Sequence, residues 1–519
     1  MNRDHLITQL KKNPEIWDFV IIGGGATGLG TAVDAASRGY RTLLLEQYDF
    51  AKGTSSRSTK LVHGGVRYLR QGNVSLVLEA LHERGLLMKN APHLVKNQSF
   101  VVPNYDWWEG PFYGIGLKIY DKLAGDLGIG PSKHLSKEET LKYIPTLESH
   151  DLNGGVIYHD AQFDDSRLAI NLLQTVFEHG GIGINYMKVT GLLKSKGKIS
   201  GVKAVDQEGN EEFEIRARAI INATGVFADS IRKMDDEENT PIIQPSQGVH
   251  IVLDKSFQPG ESAIMVPKTD DGRVLFAVPW HNRIIVGTTD TPVDEPTAEP
   301  RARDEEINFL LTHAGRYLTK DPKPDDVLSV FAGLRPLVSN GKSDDTSEIS
   351  REHTLLVDSS GMVTITGGKW TTYRKMAEDT INKAITIAGL DERKAVTENL
   401  PIHGWVQNLD SSPFAIYGSD APELKKLAAK DEAWGQPLHP NLPYTTAEVV
   451  WAARCEMART VEDILSRRTR ALLLDARASI ETAPAVANLL AAELGYDEEW
   501  KHEQIKAYTK LAKGYLLHE

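Results

Sequence analysis

Asp18-Phe19-Val20-Ile21-Ile22-Gly23-Gly24-Gly25-Ala26-Thr27-Gly28 sets an apolar, β-branched run directly against the spacing Gly23-x-Gly25-x-x-Gly28. The run predicts a buried parallel strand, and a helix should follow from about Ala26 to Arg38, with Gly39 ending it. Arg41-Thr-Leu-Leu-Leu-Glu46 then predicts a second buried strand that ends in a carboxylate, about twenty residues past the glycines. Strand, glycines, helix, strand and acid in this order describe a βαβ dinucleotide fold. Gly23 makes the tight turn, Gly25, Ala26 and Thr27 bring backbone N–H groups to a pyrophosphate at the helix N-terminus, and Gly28 allows helix and strand to pack closely. Glu46, with Gln47 beside it, is placed for the ribose hydroxyls of an adenosine.

Other regions of the chain extend this pattern. In Gly53 to Tyr68, small hydroxyl residues (Thr54, Ser55, Ser56), Lys60, Leu61 and the pair Gly64-Gly65 suit a loop that wraps a large cofactor, carrying His63, Arg67 and Tyr68 with it; the alternative is a surface loop leading into a helix from about Asn73. Arg218-Ala-Ile-Ile-Asn222-Ala223-Thr224-Gly225 is a strand ending in a small turn that would close the far side of a dinucleotide, and Val189, on a nearby predicted strand, joins the cofactor set. No second Gly-x-Gly-x-x-Gly occurs. A separate nicotinamide domain is therefore not expected, and the cofactor is read as FAD alone. Gly367-Gly368 between a strand and a helix predicts another exposed helix N-terminus, where Lys369, Trp370 and Thr371 would face the electron-rich end of a reduced flavin.

At 519 residues the chain should form two or three domains. A net charge of −12 argues against a nucleic-acid protein. The single cysteine, Cys455, excludes an intrachain disulfide and a cysteine-rich metal site, and no metal ligands are predicted. Residues 1 to 16 carry no signal-peptide core, and no segment has the eighteen or so apolar residues of a membrane span. A cytoplasmic protein able to lie on the inner face of a membrane fits these features. Residues 103 to 145 look irregular, with Trp107, Trp108, Phe112 and Tyr113 forming either core under a loop or a lipid-facing cluster. Residues 241 to 354 read as a β meander broken by one helix from about Asp304 to Leu318. Beyond Leu400, capping pairs Thr445/Glu448 and Thr460/Asp463 open helices, and Pro484 opens another. Arg454, Arg459, Arg467, Arg468 and Arg470 read as a solvated helical face, with anionic lipid as the alternative partner.

Six motifs in order, at 23–28, 54–69, 220–225, 285–290, 333–337 and 367–378, resemble those of the FAD-dependent glycerol-3-phosphate dehydrogenases. The resemblance implies an α/β fold, with a Rossmann-like FAD-binding domain (15–75, 150–240 and 355–390), a β-rich substrate domain (76–149 and 241–354) of the glutathione-reductase or D-amino-acid-oxidase type, and a C-terminal helical domain (400–519). It also implies oxidation of sn-glycerol 3-phosphate to dihydroxyacetone phosphate, with electrons passing to a quinone at a membrane surface. Monomer and homodimer are both left open. The family's substrate-pocket positions fall on Arg67, Tyr68, Arg335, Arg351 and Lys369, and its histidines on His63 and His250. A phosphorylated alcohol needs cations for its phosphate and a base for its hydroxyl proton. His63 is the preferred base and His250 the alternative, with Arg335 and Lys369 beside them at the reacting end. An oxidase passing electrons to oxygen, a 2-hydroxy-acid or amino-acid oxidase of the same fold, and a non-catalytic flavin-binding protein are the rival readings.

Overall fold

The computed structural model describes residues 1–12, 16–65, 73–106, 109–267, 269–270, 272–339, 352–409 and 412–518. The run from Phe19 to Ile22 forms the centre of a parallel sheet, because both faces are covered and alternation with polar residues is not needed. Strand Trp17–Ile22 lies between Thr42–Leu45 and Glu212–Asn222, both parallel to it; Ile182–Ile184 and Val363–Gly367 extend the two sides. Helix Ala26–Ser37 follows the glycines and packs between helices Asp165–Glu178 and Tyr373–Ala388. A Cβ on Gly28 would stand 1.9 Å from the Gly23 carbonyl oxygen, so the helix can start this close to the strand only with glycine there. Turns at Lys196-Gly197 and Asn210 join a three-stranded meander, Met187–Ser195, Lys198–Asp206 and Glu212–Asn222, whose last strand enters the parallel sheet.

The second sheet is mainly antiparallel. Ile243–Asp254 lies next to one edge, paired with Val327–Val338 and Arg283–Gly287, and the sheet continues through Leu275–Trp280, Ala263–Val266, Val95–Asn104 and Gly154–Phe163 to the short strand Leu61–Val62. Two of these strands differ from the sequence reading. Gly154–Phe163 and Leu61–Val62 were assigned with the cofactor region, yet both pair in this sheet, because Gly154–Phe163 carries apolar residues on both faces and pairs along its full length with Val95–Asn104. The chain therefore crosses between the two sheets inside the predicted cofactor loop.

The stretch expected to be irregular contains helices Glu109–Ala124 and Lys137–Tyr143. Gly114 does not break the first of them, since its missing side chain makes room for the His134 ring, 2.2 Å from where a Cβ would lie. Trp107 and Trp108 lie outside the described residues. In the C-terminal part the Thr445/Glu448 capping box forms, but Pro484 sits inside helix Ala476–Leu494 instead of opening one. That helix starts at Asp475, whose side chain accepts the Ala478 N–H, and Ala483, Val486, Ala487 and Leu490 bury its inner face through the proline. The arginine row is also not a solvated face: Arg459, Arg467, Arg468 and Arg470 are buried, and of the five only Arg454 makes an exposed pair, with Glu493. Carboxylates on the other domains, absent from the local sequence, account for this difference.

Candidate active site

The glycine cradle and an inner cavity are joined by one loop. Gly25 caps helix Ala26–Ser37 without a side chain, so acceptors for the first-turn N–H groups come from outside the helix. Ser55 Oγ takes the Ala26 N–H at 2.8 Å, and the Ser55 carbonyl accepts from Trp370 Nε1 at 3.0 Å. Ser55 thus ties the cradle to the turn at Gly367 to Thr371. Glu46 accepts the Gly24 and Tyr48 N–H groups at 2.6 and 2.8 Å, which fixes its carboxylate beside the cradle while burial raises its pKa. Two of its lone-pair sites serve these bonds, and a carboxylate has about four. Ala223 and Thr224 pack over Gly23, with Thr224 Oγ1 donating to Asn222. Gly225 has a left-handed φ of 58°, and its carbonyl accepts from Thr366. A helix start without a side-chain cap, a glycine cradle and an oriented carboxylate match the donors and acceptors of an FAD adenosine and pyrophosphate.

Three residues expected near the cofactor are tied up in the protein. The Lys60 ammonium is fully buried on Asp165 at 2.6 Å and the Ser56 carbonyl at 2.8 Å, and burial draws its pKa down to about 7 against the pull of Asp165. It works as a pillar under the loop. The Gln47 carbonyl accepts from Gln207, and Val189 is buried in the meander.

At the far end of the loop lies a cavity of about 310 Å3, with His63, His250, Arg335 and Lys369 in its wall. It also receives Gly65, Leu61, Gly368, Trp370 and Thr371 from the predicted cofactor set. Thr371 Oγ1 bridges the His63 backbone, accepting its N–H at 3.2 Å and facing its carbonyl at 3.3 Å. Gly64 donates to Tyr120 Oη at 2.8 Å, and Tyr120 donates to the buried carboxylate of Asp160. His63 is therefore held from both sides. His250 stands on a strand of the second sheet, where Gly287 is its cross-strand partner. Any Cβ on Gly287 would meet the His250 ring at 2.1 Å. The ring stacks on Phe331 with centroids 4.8 Å apart, and its Nε2 is 2.9 Å from Thr59 Oγ1. Burial, with Lys60 and Arg335 nearby, holds the His250 pKa well below the ordinary value, so the ring is neutral. Arg335 donates to Asp290, Thr288 and the Thr289 carbonyl, at 3.0 to 3.2 Å, which sets the plane of its guanidinium.

Arg67, Tyr68 and Arg351 lie outside the described residues. Sequence reasoning did not assign Thr59, Asp290, Arg57 or Asp160, which border the same cavity. Asp290 was within reach, since it ends the Gly287-Thr-Thr-Asp290 run opposite Arg335. The other three sit in motifs already quoted or on a strand read as cofactor-side.

Comparison with known proteins gives the same outline. Residues 18–374 match the family described as FAD dependent oxidoreductase, and residues 362–501 match the C-terminal domain of alpha-glycerophosphate oxidase. The mitochondrial glycerol-3-phosphate dehydrogenase of Bos taurus is 42% identical over 98% of this chain and 75% of its own length; that of Homo sapiens is 42% identical over 96% and 73%. The crystal structure of a glycerol-3-phosphate dehydrogenase from Bacillus halodurans complexed with FAD superposes with a TM-score of 0.82 at 29% identity, covering 100% of this chain and 98% of that one.

Proposed function

The chain belongs to the FAD-dependent glycerol-3-phosphate dehydrogenases, and from that premise we propose that it oxidises sn-glycerol 3-phosphate to dihydroxyacetone phosphate in the cavity described above, with His63 as the base. The observation that carries this reading is the meeting, in one cavity at the end of the cofactor loop, of His63, His250, Arg335 and Lys369 from distant parts of the chain. When bound, FAD supplies acceptance of the C2 hydride; the residues that would hold it are Gly23, Gly25, Ala26, Thr27, Gly28, Glu46, Ser55, Ala223 to Gly225 and Gly368 to Thr371. Arg335, with Arg351 and Lys369, binds the phosphate and orients the reacting end by charge-assisted hydrogen bonds. The family resemblance assigns Arg67 and Tyr68 to substrate binding as well. His63 accepts the hydroxyl proton, and its backbone tie to Thr371 keeps it at the flavin end. His250 is the poorer acceptor, because burial and the charges of Lys60 and Arg335 all oppose its protonation. It serves as a neutral, fixed wall of the pocket. The helix that starts after Lys369 offsets negative charge developing at this end.

Electrons leave to a quinone, and the protein acts at the surface of a membrane. Among the described residues no helix is long and apolar enough to cross one. What supports surface contact is an exposed apolar patch, Val74 and Leu78 on helix Val74–Asn90 beside Ile115 and Ile119 on helix Glu109–Ala124. The inner faces of the same helices reach Gly64 through Leu81 and Tyr120.

The test is anaerobic. Glycerol 3-phosphate should bleach the yellow protein within one turnover and a soluble quinone should restore the colour. No bleaching, or equal bleaching by glycerol, would overturn the reading. Stoichiometric hydrogen peroxide at the full turnover rate in air would replace the quinone with oxygen.

A further inference from the structure

The loop at Asp49 to Lys60, which carries Thr54 to Ser56 along the cofactor path, is gripped on its outer side by the C-terminal segment. Arg468 forms a two-pronged bond to the Asp49 carboxylate at 2.7 and 2.9 Å, and Arg467 Nε adds a third contact at 2.5 Å. All three side chains are buried, and the two arginines hold the Asp49 carboxyl well below the usual range against burial. Further along, the Lys52 ammonium pairs with Glu462, and Arg470 Nη2 donates to the Ser56 carbonyl at 2.6 Å. The same Arg470 group lies 3.1 Å from Asp165, the carboxylate that also holds Ser58 and Lys60. On its inner side the loop touches the cradle: Ala51 N–H donates to the Gly24 carbonyl at 2.9 Å, and Ser55 binds Ala26 and Trp370.

We propose that Arg467, Arg468 and Arg470 are positioning residues for the cofactor loop, and that through them the C-terminal domain sets how tightly FAD is retained. A flexible loop must lose conformational entropy to close over a ligand, and a loop already fixed on its outer side has less to lose. The buried arginines make this fixing directional, because a guanidinium fork accepts only one orientation of Asp49. None of the three lines the substrate cavity. Their loss should therefore appear in cofactor retention and not in substrate recognition. This inference rests on the FAD reading above.

The experiment follows flavin fluorescence after dilution of the holoenzyme of Arg468→Gln and Arg470→Gln, with circular dichroism to check the fold. Release should be about ten- to a hundred-fold faster than in the parent, the range a charged hydrogen bond represents. Added FAD should restore turnover with an unchanged KM for glycerol 3-phosphate. Arg454→Gln, which breaks the exposed pair with Glu493 in the same domain, should release flavin at the parent rate. Parent-like release from the folded Arg468→Gln and Arg470→Gln variants, equally fast release from Arg454→Gln, or activity that excess FAD does not restore would each overturn the proposal. If Arg468→Gln does not fold, Lys52→Met at the rim of the seam decides: several-fold faster release supports the proposal, and the parent rate refutes it. A colourless parent protein would instead refute the FAD reading itself.

Discussion

The cations in the cavity wall and the arginines of the C-terminal seam have opposite surroundings. Arg335 stands in the wall of a cavity of about 310 Å3, where Asp290 and threonine oxygens steer its guanidinium. Arg467 and Arg468 do not line that cavity and sit among four carboxylates, Asp49, Glu456, Glu462 and Asp463, within the protein. A guanidinium in a cavity wall is placed to meet an external anion, whereas one buried among carboxylates inside the protein holds segments of the chain together. The first should be sensitive to substrate and the second to the integrity of the fold.

Breaking the cavity side should give the largest effect. His63→Asn should slow anaerobic flavin reduction by ~10²–10⁴-fold, with FAD still bound, and should abolish the acid limb of kcat/KM that a histidine base produces as it protonates at low pH. A parent-like limb in His63→Asn, with its loss in His250→Asn, would transfer the role to His250. On the seam side, Arg467→Gln leaves Asp49 and Asp463 short of a partner and should cost roughly 3–5 kcal/mol of stability by denaturant unfolding, with little change in substrate KM at saturating FAD. A smaller effect is expected from His93, which is packed at the edge of the C-terminal segment against Gly404 and Gly418. Burial lowers its pKa to about 4. The unfolded chain takes up the proton near pH 6.5 while the folded protein resists it, so stability falls as pH drops through this window, by at most roughly 3 kcal/mol. His93→Gln should flatten the slope of unfolding free energy against pH between 6.5 and 4, and an unchanged slope would remove His93 from that account.

The difference between the two regions also explains what could be read from the sequence. The cradle was legible because each step of it, from Phe19 through Gly28 to Glu46, is local: strand, turn, helix and acid follow within thirty residues and obey fixed spacings. The capping box at Thr445 and the helix capped by Asn73 were legible for the same reason. The seam was not, because Arg468 reads as a surface charge until Asp49, more than four hundred positions away, is folded against it. The sheet that strand Gly154–Phe163 joins was not legible on similar grounds, since a run buried on both faces does not reveal which neighbours cover it. The cavity lies between these cases. His63, His250, Arg335 and Lys369 were singled out from short motifs, while Thr59, which meets the His250 ring, needed the three-dimensional register.

The most direct test of the contrast is the selectivity of Arg335→Ala between glycerol 3-phosphate and glycerol, measured as kcat/KM with FAD saturating. If the cavity cations exist mainly for the phosphate, the substitution should lower kcat/KM for glycerol 3-phosphate by about ten- to a hundred-fold, the worth of a charged hydrogen bond, and lower the residual rate with glycerol much less. An equal loss with both substrates, or no loss with either, would contradict the account.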